Sequence, residues 1–347
     1  MHQYAVLLNP GHNRIYFEES KKLSCSELLA VFKGVLAQES VKIEEIEEIP
    51  YLIFQTSEEL SVSERAMLSR LSFAYAAFEL ENVNGSIVLR PISREFQFFM
   101  DSSMSSLLKY SGKTNELFTR MMINLAFFSS DFTKEAQICL LDPVAGKGTT
   151  LFEGLSLGYD VFGIEIGDKA AHEACCCLKR YLEMQRYKHT QKNERLSGPN
   201  KSFTAARESF LIARSKEEQR EGRNRTFTMM AGNSALADLF FPKNSFHIIV
   251  GDLPYGVQHG NVTNQKQSSL TRNPNELLRA CLPGWRKVLK RGGAMALAWN
   301  RNVLARAKME ELLVHAGFHP LGGDPDRFVH RVDQSILRDV IIARKED

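Results

Sequence analysis

Residues with the types and spacing of a ligand-binding turn lie near the middle of the chain. A short apolar run ends at Asp142 and Pro143, and Gly146 and Gly148 follow in a Gly-x-Gly pattern. Glycine lets a backbone approach a ligand that a Cβ atom would repel. The helix predicted to begin at Thr149 offers unpaired N–H groups to polar ligand atoms. The pattern therefore predicts a strand, a glycine-rich turn and a helix that together bind a nucleotide-like ligand.

Three kinds of ligand compete for such a turn. A dinucleotide turn requires a third glycine three residues after the second, and Leu151 occupies that position. A phosphate-binding P-loop requires Gly-Lys followed by Ser or Thr, whereas Gly148 follows Lys147. A tight turn without a ligand is the simplest alternative. The remaining pattern, Asp-x-x-x-Gly-x-Gly, resembles motif I of the class I S-adenosylmethionine (SAM)-dependent methyltransferases.

This resemblance implies that SAM is the cofactor and that residues around the turn bind it. These residues are Asp142, Pro143, Ala145, Gly146, Gly148 and Thr149. A second strand is predicted at 159–166, with Glu165 and Ile166 at its tip. An acid placed there, about 20 residues beyond the turn, can accept both ribose hydroxyls of an adenosyl ligand. We expect Glu165 and Ile166 to line the cofactor site, and a solvent-exposed glutamate is the alternative.

A polar pair follows the third strand of the series, which is predicted at 227–230. In the methyltransferase family a polar residue at this place, often Asp, commonly meets the adenine of the cofactor. Asn233 and Ser234 stand here instead. An Asn side chain both accepts and donates hydrogen bonds, so it can still recognise an adenine edge. The resemblance therefore implies that Asn233 and Ser234 belong to the cofactor site.

The second group of chemistry-bearing residues is Asp252-Leu253-Pro254-Tyr255, which follows a buried apolar strand predicted at 246–251. Open α/β sheets bind their ligands at the carboxyl ends of the strands. This tetrapeptide resembles the Asp/Asn-Pro-Pro-Tyr motif IV of methyltransferases that modify exocyclic amines of nucleobases. It departs from that motif at Leu253, which replaces the commoner first proline.

The chemistry of such an amine explains the residue types of the tetrapeptide. An aromatic amine is a poor nucleophile because its lone pair is delocalised into the ring. The resemblance implies that Asp252 and the carbonyl of Leu253 accept its two N–H bonds and stabilise the positive charge that develops on transfer. Pro254 restricts the loop, and Tyr255 offers a ring face to the base. These four residues are the predicted catalytic residues.

A narrower resemblance comes from the order of the features along the chain. An N-terminal α+β module, the segment L-F-T-R-M-M-I-N-L-A at 117–126 and the two motifs look like the tRNA guanosine N2-methyltransferases with THUMP-type domains and their relatives that act on ribosomal RNA. The resemblance implies methyl transfer to an exocyclic base amine in RNA, with N2 of guanosine in tRNA as the expected target. Two alternatives stay open: a DNA adenine-N6 or cytosine-N4 methyltransferase, and a non-catalytic SAM- or RNA-binding protein.

The elements that must position these residues predict two α/β domains. A Rossmann-like class I methyltransferase sheet with a reversed last strand is expected at 113–347, after a smaller α+β accessory domain at 1–101. A linker is predicted at 102–112. The helix that precedes motif I begins after Thr114 or Asn115, either of which can cap it. The family resemblance implies that this helix contacts the cofactor, and a packing helix is the alternative.

The smaller domain is expected to have a ferredoxin-like or similar fold that positions RNA or packs against the next domain. Ser24 and Glu27 predict a capping box at the start of its first helix. Apolar residues at helical spacing predict a second helix at 61–80, and 96–99 is predicted as a strand.

Charge is unevenly distributed, although the chain of 347 residues has a formal net charge of only +3. Residues 1–100 are acidic, and a basic insertion near 188–225 interrupts the alternation of strands and helices. A basic stretch beside a catalytic domain can attract phosphate, which adds to the family resemblance that implies RNA as the partner. A solvated helical face or a mobile insertion is the alternative.

Composition restricts the remaining function classes. None of the six cysteines forms a C-x-x-C pair, and three are consecutive at 175–177, so we expect no metal site. No apolar run has the length of a membrane span, and the first residues lack the pattern of a secretory signal. A cytoplasmic protein with reduced thiols is therefore expected.

Overall fold

The computed structural model describes residues 1–9, 14–37, 40–101, 104, 113–255 and 274–347. The predicted linker at 102–112 lies outside these residues apart from Met104. The chain divides into two compact units. The smaller unit consists of Met1–Gln97 with Gly323–Gln334, and the larger unit consists of Phe98–Gly322 with Ser335–Asp347.

The smaller unit is built on an antiparallel sheet in the order β2-β3-β1-β4-β5. The strands are β1 (His2–Leu8), β2 (Lys42–Ile46), β3 (Ile49–Thr56), β4 (Ala74–Val83) and β5 (Ser86–Pro91), and the helices are Arg14–Val31 and Val62–Ser69. The first four strands and the two helices follow the β-α-β-β-α-β sequence of ferredoxin-like folds, and β5 extends the sheet. A short strand, β14 (His330–Arg331), also lies in this unit.

The first helix begins earlier than its predicted capping box. Ser24 lies inside the helix Arg14–Val31, where its hydroxyl donates to the carbonyl of Ser20 at 2.6 Å. Glu27 is buried and accepts from the backbone N–H of Ser72 at 3.1 Å. The capping-box prediction is therefore wrong, because a tertiary contact rather than the helix start occupies the Glu27 carboxylate.

The second helix is much shorter than the pattern predicts. It spans Val62–Ser69, and its capping box is formed by Ser61 and Glu64. Phe78, which falls within the helix predicted at 61–80, lies instead in β4. The strand predicted at 96–99 is also wrong, because these residues form no strand. The spacing of apolar residues after position 70 fits both a helix and a strand. Pairing of β4 with β1 and β5 makes this segment a strand.

The larger unit contains a mixed sheet in the order β13-β15-β12-β11-β6-β7-β10-β9-β8. Its strands are β6 (Cys139–Asp142), β7 (Asp160–Glu165), β8 (Lys188–Ser197), β9 (Thr204–Ala213), β10 (Arg225–Ala231), β11 (Phe246–Asp252), β12 (Leu289–Asn300), β13 (His319–Pro320) and β15 (Leu337–Arg344). The five strands from β12 to β10 pair in parallel, whereas β15 is antiparallel to β12. The predicted α/β class and the reversed last strand are confirmed.

The described residues of the larger unit also form helices. They are Glu116–Phe128, Thr149–Ser156, Asp168–Met184, Lys216–Arg220, Ala237–Phe240, Pro274–Val288 and Arg306–His315, with 3-10 turns at Pro199–Lys201 and Ser234–Leu236. Asn115 caps the first of them by accepting from the backbone N–H groups of Leu117 and Phe118. Among the described residues, no helix combines the length and apolar character needed to cross a membrane.

The basic insertion is mainly a β-hairpin rather than a solvated helical face. Its strands β8 and β9 pair with each other, and β9 pairs antiparallel with β10. The hairpin therefore widens the sheet at the edge that β10 would otherwise form. Its composition does not predict strands, because Lys, Asn and Glu are uncommon in strands. Pairing with the neighbouring strands stabilises these residues in the extended conformation.

The order of the strands places a topological switch point between β6 and β11. From β6 the chain moves outward through β7 to β10, and it then returns to β11 and continues outward through β12 on the other side. Open α/β sheets bind ligands in the crevice at such a point, outside the carboxyl ends of the strands. Asp142 ends β6 and Asp252 ends β11, so both predicted site acids lie at this crevice.

Candidate active site

The glycine turn after β6 has the backbone conformation that its sequence requires. Gly146 has a φ of +53° and Gly148 a φ of +86°, both in the left-handed region that favours glycine. A Cβ atom at Gly146 would meet nothing within 4 Å, so the backbone of the turn faces open space. Gly148 is also the N-cap of the helix Thr149–Ser156, and no side chain caps that helix end. The turn is therefore open at Gly146, whereas Gly148 and Thr149 are buried.

Glu165, at the end of β7, fastens this turn. Its two carboxylate oxygens accept from the N–H of Gly146 at 2.8 Å and from the N–H of Gly167 at 2.7 Å. Burial raises the pKa of Glu165, and these backbone hydrogen bonds oppose the rise. A carboxylate has about four acceptor positions, so Glu165 keeps acceptor capacity for a further donor such as a ribose hydroxyl.

Asp142 is the most deeply buried acid of the site. It is 3% exposed and accepts from the N–H of Val144 at 3.0 Å and from the hydroxyl of Thr150. Burial raises its pKa to about 7, and the negative charges of Asp252 and Glu165 add to the rise. The ends of three neighbouring strands therefore form an acidic edge, which we define as Asp142, Glu165 and Asp252.

Close packing holds the helix after the turn against β7. A Cβ atom at Gly163 would lie 2.7 Å from Leu151 and 2.9 Å from Ala145, and one at Gly154 would lie 2.8 Å from Val161. All three distances are shorter than real Cβ contacts, so only glycine allows this approach. The glycines in the helix and in β7 bring the turn close to Glu165.

The carboxylate of Asp252 is held by two hydroxyl groups. Tyr255 donates to Oδ1 at 2.5 Å, and Thr114 donates to Oδ2 at 2.6 Å. Burial and the charge of Asp252 raise the pKa of Tyr255, so its phenol stays protonated and remains a donor. The sequence pattern predicts only a helix-capping role for Thr114. Its contact with Asp252 has no signal in the sequence, because the two residues meet only in the folded sheet.

Arg338, in β15, is a second residue that sequence reasoning missed. Its guanidinium lies 4.4 Å from the ring centre of Phe118 and 5.2 Å from that of Tyr255. One of its nitrogens is 4.0 Å from Oδ2 of Asp252, and the residue is 5% exposed. A buried planar cation stacked on aromatic rings restricts their orientation. Arg338 therefore positions both Tyr255 and the carboxylate of Asp252.

The backbone around the predicted catalytic tetrapeptide is anchored on β12. The N–H of Leu253 donates to the carbonyl of Ala298 at 2.8 Å, and the Leu253 side chain is 1% exposed in the core. The amide of Asn300 donates to the carbonyl of Tyr255 at 3.4 Å. Pro254 lies between these two anchored residues, so the loop at the end of β11 is restrained on both sides.

The residues predicted to meet adenine separate in the structure. Asn233 is exposed, and together with Ile166 it lines a cavity at the carboxyl edge of the sheet. Ser234 is buried, and its hydroxyl accepts from the indole N–H of Trp285 at 3.0 Å. The structure therefore brings Ile166 and Asn233 to the cavity and turns the Ser234 side chain into the core.

The charged groups around the turn bear on the competing ligands. Lys147, the residue that a P-loop would direct at phosphate, forms an ion pair of 2.6 Å with Glu173. Within the parts of the chain that the structure describes, no group of three His, Cys, Asp or Glu side chains is arranged to hold a metal ion. The acidic edge and the paired lysine suit a cationic ligand better than a phosphate.

Comparison with known proteins gives similarity of structure but not of sequence. No family profile matches the chain, and no curated protein matches it. Its structure is similar to an rRNA methylase from Streptococcus thermophilus, with 10% identity and a TM-score of 0.36 over 68% of this chain and 100% of that one. It is also similar to a SAM-dependent methyltransferase from Methanosarcina mazei, with 17% identity and a TM-score of 0.37 over 61% and 93%.

A third similar structure is a TehB-like SAM-dependent methyltransferase from Corynebacterium glutamicum, with 13% identity and a TM-score of 0.35 over 62% of this chain and 84% of that one. The solved structures that this chain resembles thus include SAM-dependent methyltransferases. At these low identities and TM-scores the likeness carries no argument about what the chain binds or transfers.

Proposed function

We propose that this chain is a SAM-dependent methyltransferase that modifies an exocyclic base amine in RNA, with N2 of guanosine in tRNA as the first target to test. One observation carries the proposal. Asp252 ends β11 at the switch point and accepts from Tyr255 of the following loop, and β11 lies next to β6 with its glycine turn, which β7 and Glu165 flank on the other side. A base-binding aromatic ring, a carboxylate and a nucleoside-type turn therefore share one crevice.

The residues at the crevice fit SAM. The acidic edge of Asp142, Glu165 and Asp252 creates a negative potential, which favours a ligand with a positively charged sulfonium and disfavours a pyrophosphate. When bound, SAM supplies a methyl group on that sulfonium. The turn, from Asp142 and Pro143 through Ala145, Gly146 and Gly148 to Thr149, would hold the cofactor with Glu165 on its ribose and Ile166 and Asn233 beside its adenine.

Asp252 has the acceptor capacity that an incoming amine requires. It already accepts from Thr114 and Tyr255, and a carboxylate offers about four acceptor positions. It can therefore accept an N–H of the target amine and keep the Thr114 hydrogen bond that orients it. The carbonyl of Leu253 would accept the second N–H, and this pair of acceptors stabilises positive charge on the nitrogen.

The remaining residues of the tetrapeptide position the base. Pro254 restricts the loop, and Tyr255 would offer its ring to the base while Arg338 holds the opposite side of that ring. In this mechanism the site supplies orientation and a preorganised charge, which are the main sources of acceleration for a direct transfer.

The support for RNA as the substrate comes from the basic character of the 188–225 insertion. We also propose that the N-terminal unit positions the RNA. The same amine chemistry serves adenine N6 or cytosine N4 in DNA, so the substrate must be tested directly. Purified protein with radiolabelled SAM would be offered unmodified tRNA, ribosomal RNA and DNA, and the labelled nucleoside would be identified by mass spectrometry.

Three results are distinguished by this experiment. Label in N2-methylguanosine of tRNA supports the proposal. Label in N6-methyladenine or N4-methylcytosine of DNA overturns it and identifies a DNA methyltransferase. No transfer to any nucleic acid by a protein that binds SAM supports a non-catalytic binding protein. Asp252→Ala is the control: it should lose transfer by at least about a hundredfold and keep cofactor binding.

A further inference from the structure

A cavity of about 1240 Å³ lies between the hairpin β8–β9 and the helix Asp168–Met184. Its walls include Ala171 and Cys175 of the helix and Ala206 and Glu208 of β9. At the carboxyl edge of the sheet it reaches Ile166 and Asn233. The cavity therefore begins where the proposed cofactor residues end and continues along the hairpin.

The strand register places the hairpin in line with the proposed ribose anchor. Glu165 of β7 pairs with Ala231 of β10, Ala231 pairs with Ala206 of β9, and Ala206 pairs with Arg195 of β8. Adjacent strands are about 4.8 Å apart, so Ala206 lies roughly 10 Å from Glu165 across the sheet. If Glu165 binds the ribose of a nucleoside and the base points toward β10, the edge of the base farthest from the ribose lies near Ala206.

The turn of the hairpin projects beyond the neighbouring strand. β10 ends at Ala231, whereas β9 begins at Thr204, two residues further toward the ligand edge in this register. The Phe203 ring packs edge-on against Phe240, with ring centres 5.7 Å apart. A Cβ atom at Gly232 would lie only 3.0 Å from Phe240. The hairpin turn is therefore fixed to the segment that follows β10.

The cavity lining is polar, and it has one more carboxylate than arginine. Its carboxylates, Asp168, Glu194 and Glu208, are partly offset by Arg195 and Arg207, and the second of these arginines already donates to the carbonyl of Phe240. Such a lining does not gather the cations that a phosphate chain requires. Asn233 and Asn193 instead offer amide groups that suit the hydrogen-bonding edge of a neutral heterocycle.

We infer that the hairpin β8–β9 forms the outer wall of the cofactor's purine site and leaves an open subsite beyond the purine amino group. This inference rests on the proposed function, and it gives the insertion a role in ligand binding that its basic composition does not indicate. Ligand pockets for small molecules typically have volumes of about 300–1,000 Å³, so this cavity is larger than a purine base requires. The subsite would have room for a planar substituent on the purine N6.

The wild-type protein tests the subsite directly by calorimetry. The probes are S-adenosylhomocysteine (SAH), which is the cofactor without its methyl group, and SAH carrying a benzyl group on N6. We expect the benzylated ligand to bind within about threefold of the affinity of SAH, because a group placed in an open cavity meets no clash. A closed purine site would reject the benzyl group and weaken binding by at least about a hundredfold.

Matched tryptophan substitutions test the position of the wall. Ala206→Trp fills the cavity and should weaken the benzylated ligand at least about tenfold more than SAH. Leu211→Trp, on the same strand but outside this cavity, should change neither affinity. Melting temperatures and circular dichroism would establish that both variants fold.

The outcomes separate this inference from the proposed function. If SAH binds while its benzylated form does not, or if the two variants behave alike, the subsite is wrong and the proposed methyltransferase still stands. If the wild-type protein binds neither ligand nor SAM, the proposed function fails and the subsite inference fails with it.

Discussion

The hydroxyl of Thr114 donates a 2.6 Å hydrogen bond to Oδ2 of Asp252 across a sequence separation of 138 residues. Thr114 directly precedes Asn115, which caps the helix Glu116–Phe128, and Asp252 is the last residue of β11. The helix start and the strand end are thereby joined at the acid that we propose binds the target amine. Tyr255 occupies the other oxygen, so the orientation of the carboxylate is set from two directions.

Replacing Thr114 by Val should lower kcat by at least about tenfold, because a hydrogen bond to a charged group contributes about 1.5–3 kcal/mol. The affinity for SAH should not change, since Thr114 contacts Asp252 and not the glycine turn. Steady-state kinetics and calorimetry measure the two quantities. Thr114→Ser keeps the hydroxyl and should restore most of the activity, and equal losses in both variants would contradict the role of the hydrogen bond.

Arg338→Met should lower kcat by about tenfold or more, because the variant loses the planar cation between the Phe118 and Tyr255 rings. Arg338→Lys should not restore activity, since an ammonium group cannot stack as a guanidinium does. Arg331→Met, an exposed site, is the matched control. Near-normal turnover in Arg338→Lys would show that only the charge matters.

The buried carboxyl of Asp142 predicts a pH dependence of stability. Its pKa is about 7 in the folded protein, against an ordinary value of 3.8. The folded state therefore binds a proton more tightly than the unfolded state, and stability should fall as pH rises from about 4 to about 7 and then level off. Asp142→Asn cannot ionise and should show a smaller decrease in melting temperature over this range.

Melting temperatures of the ligand-free protein and the variant, recorded at intervals between pH 5 and pH 8, test this expectation. Acids distant from the site titrate alike in both proteins, so the difference between the two curves reports on Asp142 together with its repulsion of Asp252 and Glu165. Parallel curves would mean that burial does not raise the pKa of this carboxyl.

Ser234→Ala should destabilise the fold by about 1–3 kcal/mol, because it removes the acceptor of the buried indole N–H of Trp285. It should leave the SAH affinity unchanged. Asn233→Ser keeps an oxygen able to cap the following 3-10 turn, so it should leave the stability nearly unchanged. It should weaken SAH binding by about tenfold. Chemical denaturation and calorimetry measure the two effects, and a loss of SAH affinity in Ser234→Ala would place that side chain in the ligand site instead.

Local chemistry explains which parts of the fold could be predicted. Gly146 and Gly148 adopt positive φ, and strands end at Asp142, Glu165 and Asp252, because backbone freedom and strand termination depend on neighbouring residues. The α/β class and the reversed strand β15 follow from the alternation of such elements. The placement of these residues at one crevice then follows from the strand order rather than from any local pattern.

Errors arose where a distant partner decides the local structure. The residues around Phe78 have a spacing that fits a helix, but pairing with β1 and β5 makes them a strand. Glu27 has the spacing of a capping residue, but its buried carboxylate accepts a hydrogen bond from the backbone N–H of Ser72. The insertion at 188–225 has little strand character, yet its hairpin is completed by the edge of β10.

The glycine turn, the acids at the strand ends and the tetrapeptide after β11 could be identified without the structure, because adjacent residues carry the chemistry of each. The fold was needed to show that Thr114 and Arg338 lie at Asp252, that Ser234 faces the core, and that the hairpin β8–β9 borders a cavity next to Asn233. These relationships depend on which side chains a folded sheet brings within a few ångströms, and contacts between residues far apart in the chain leave no pattern in a single sequence.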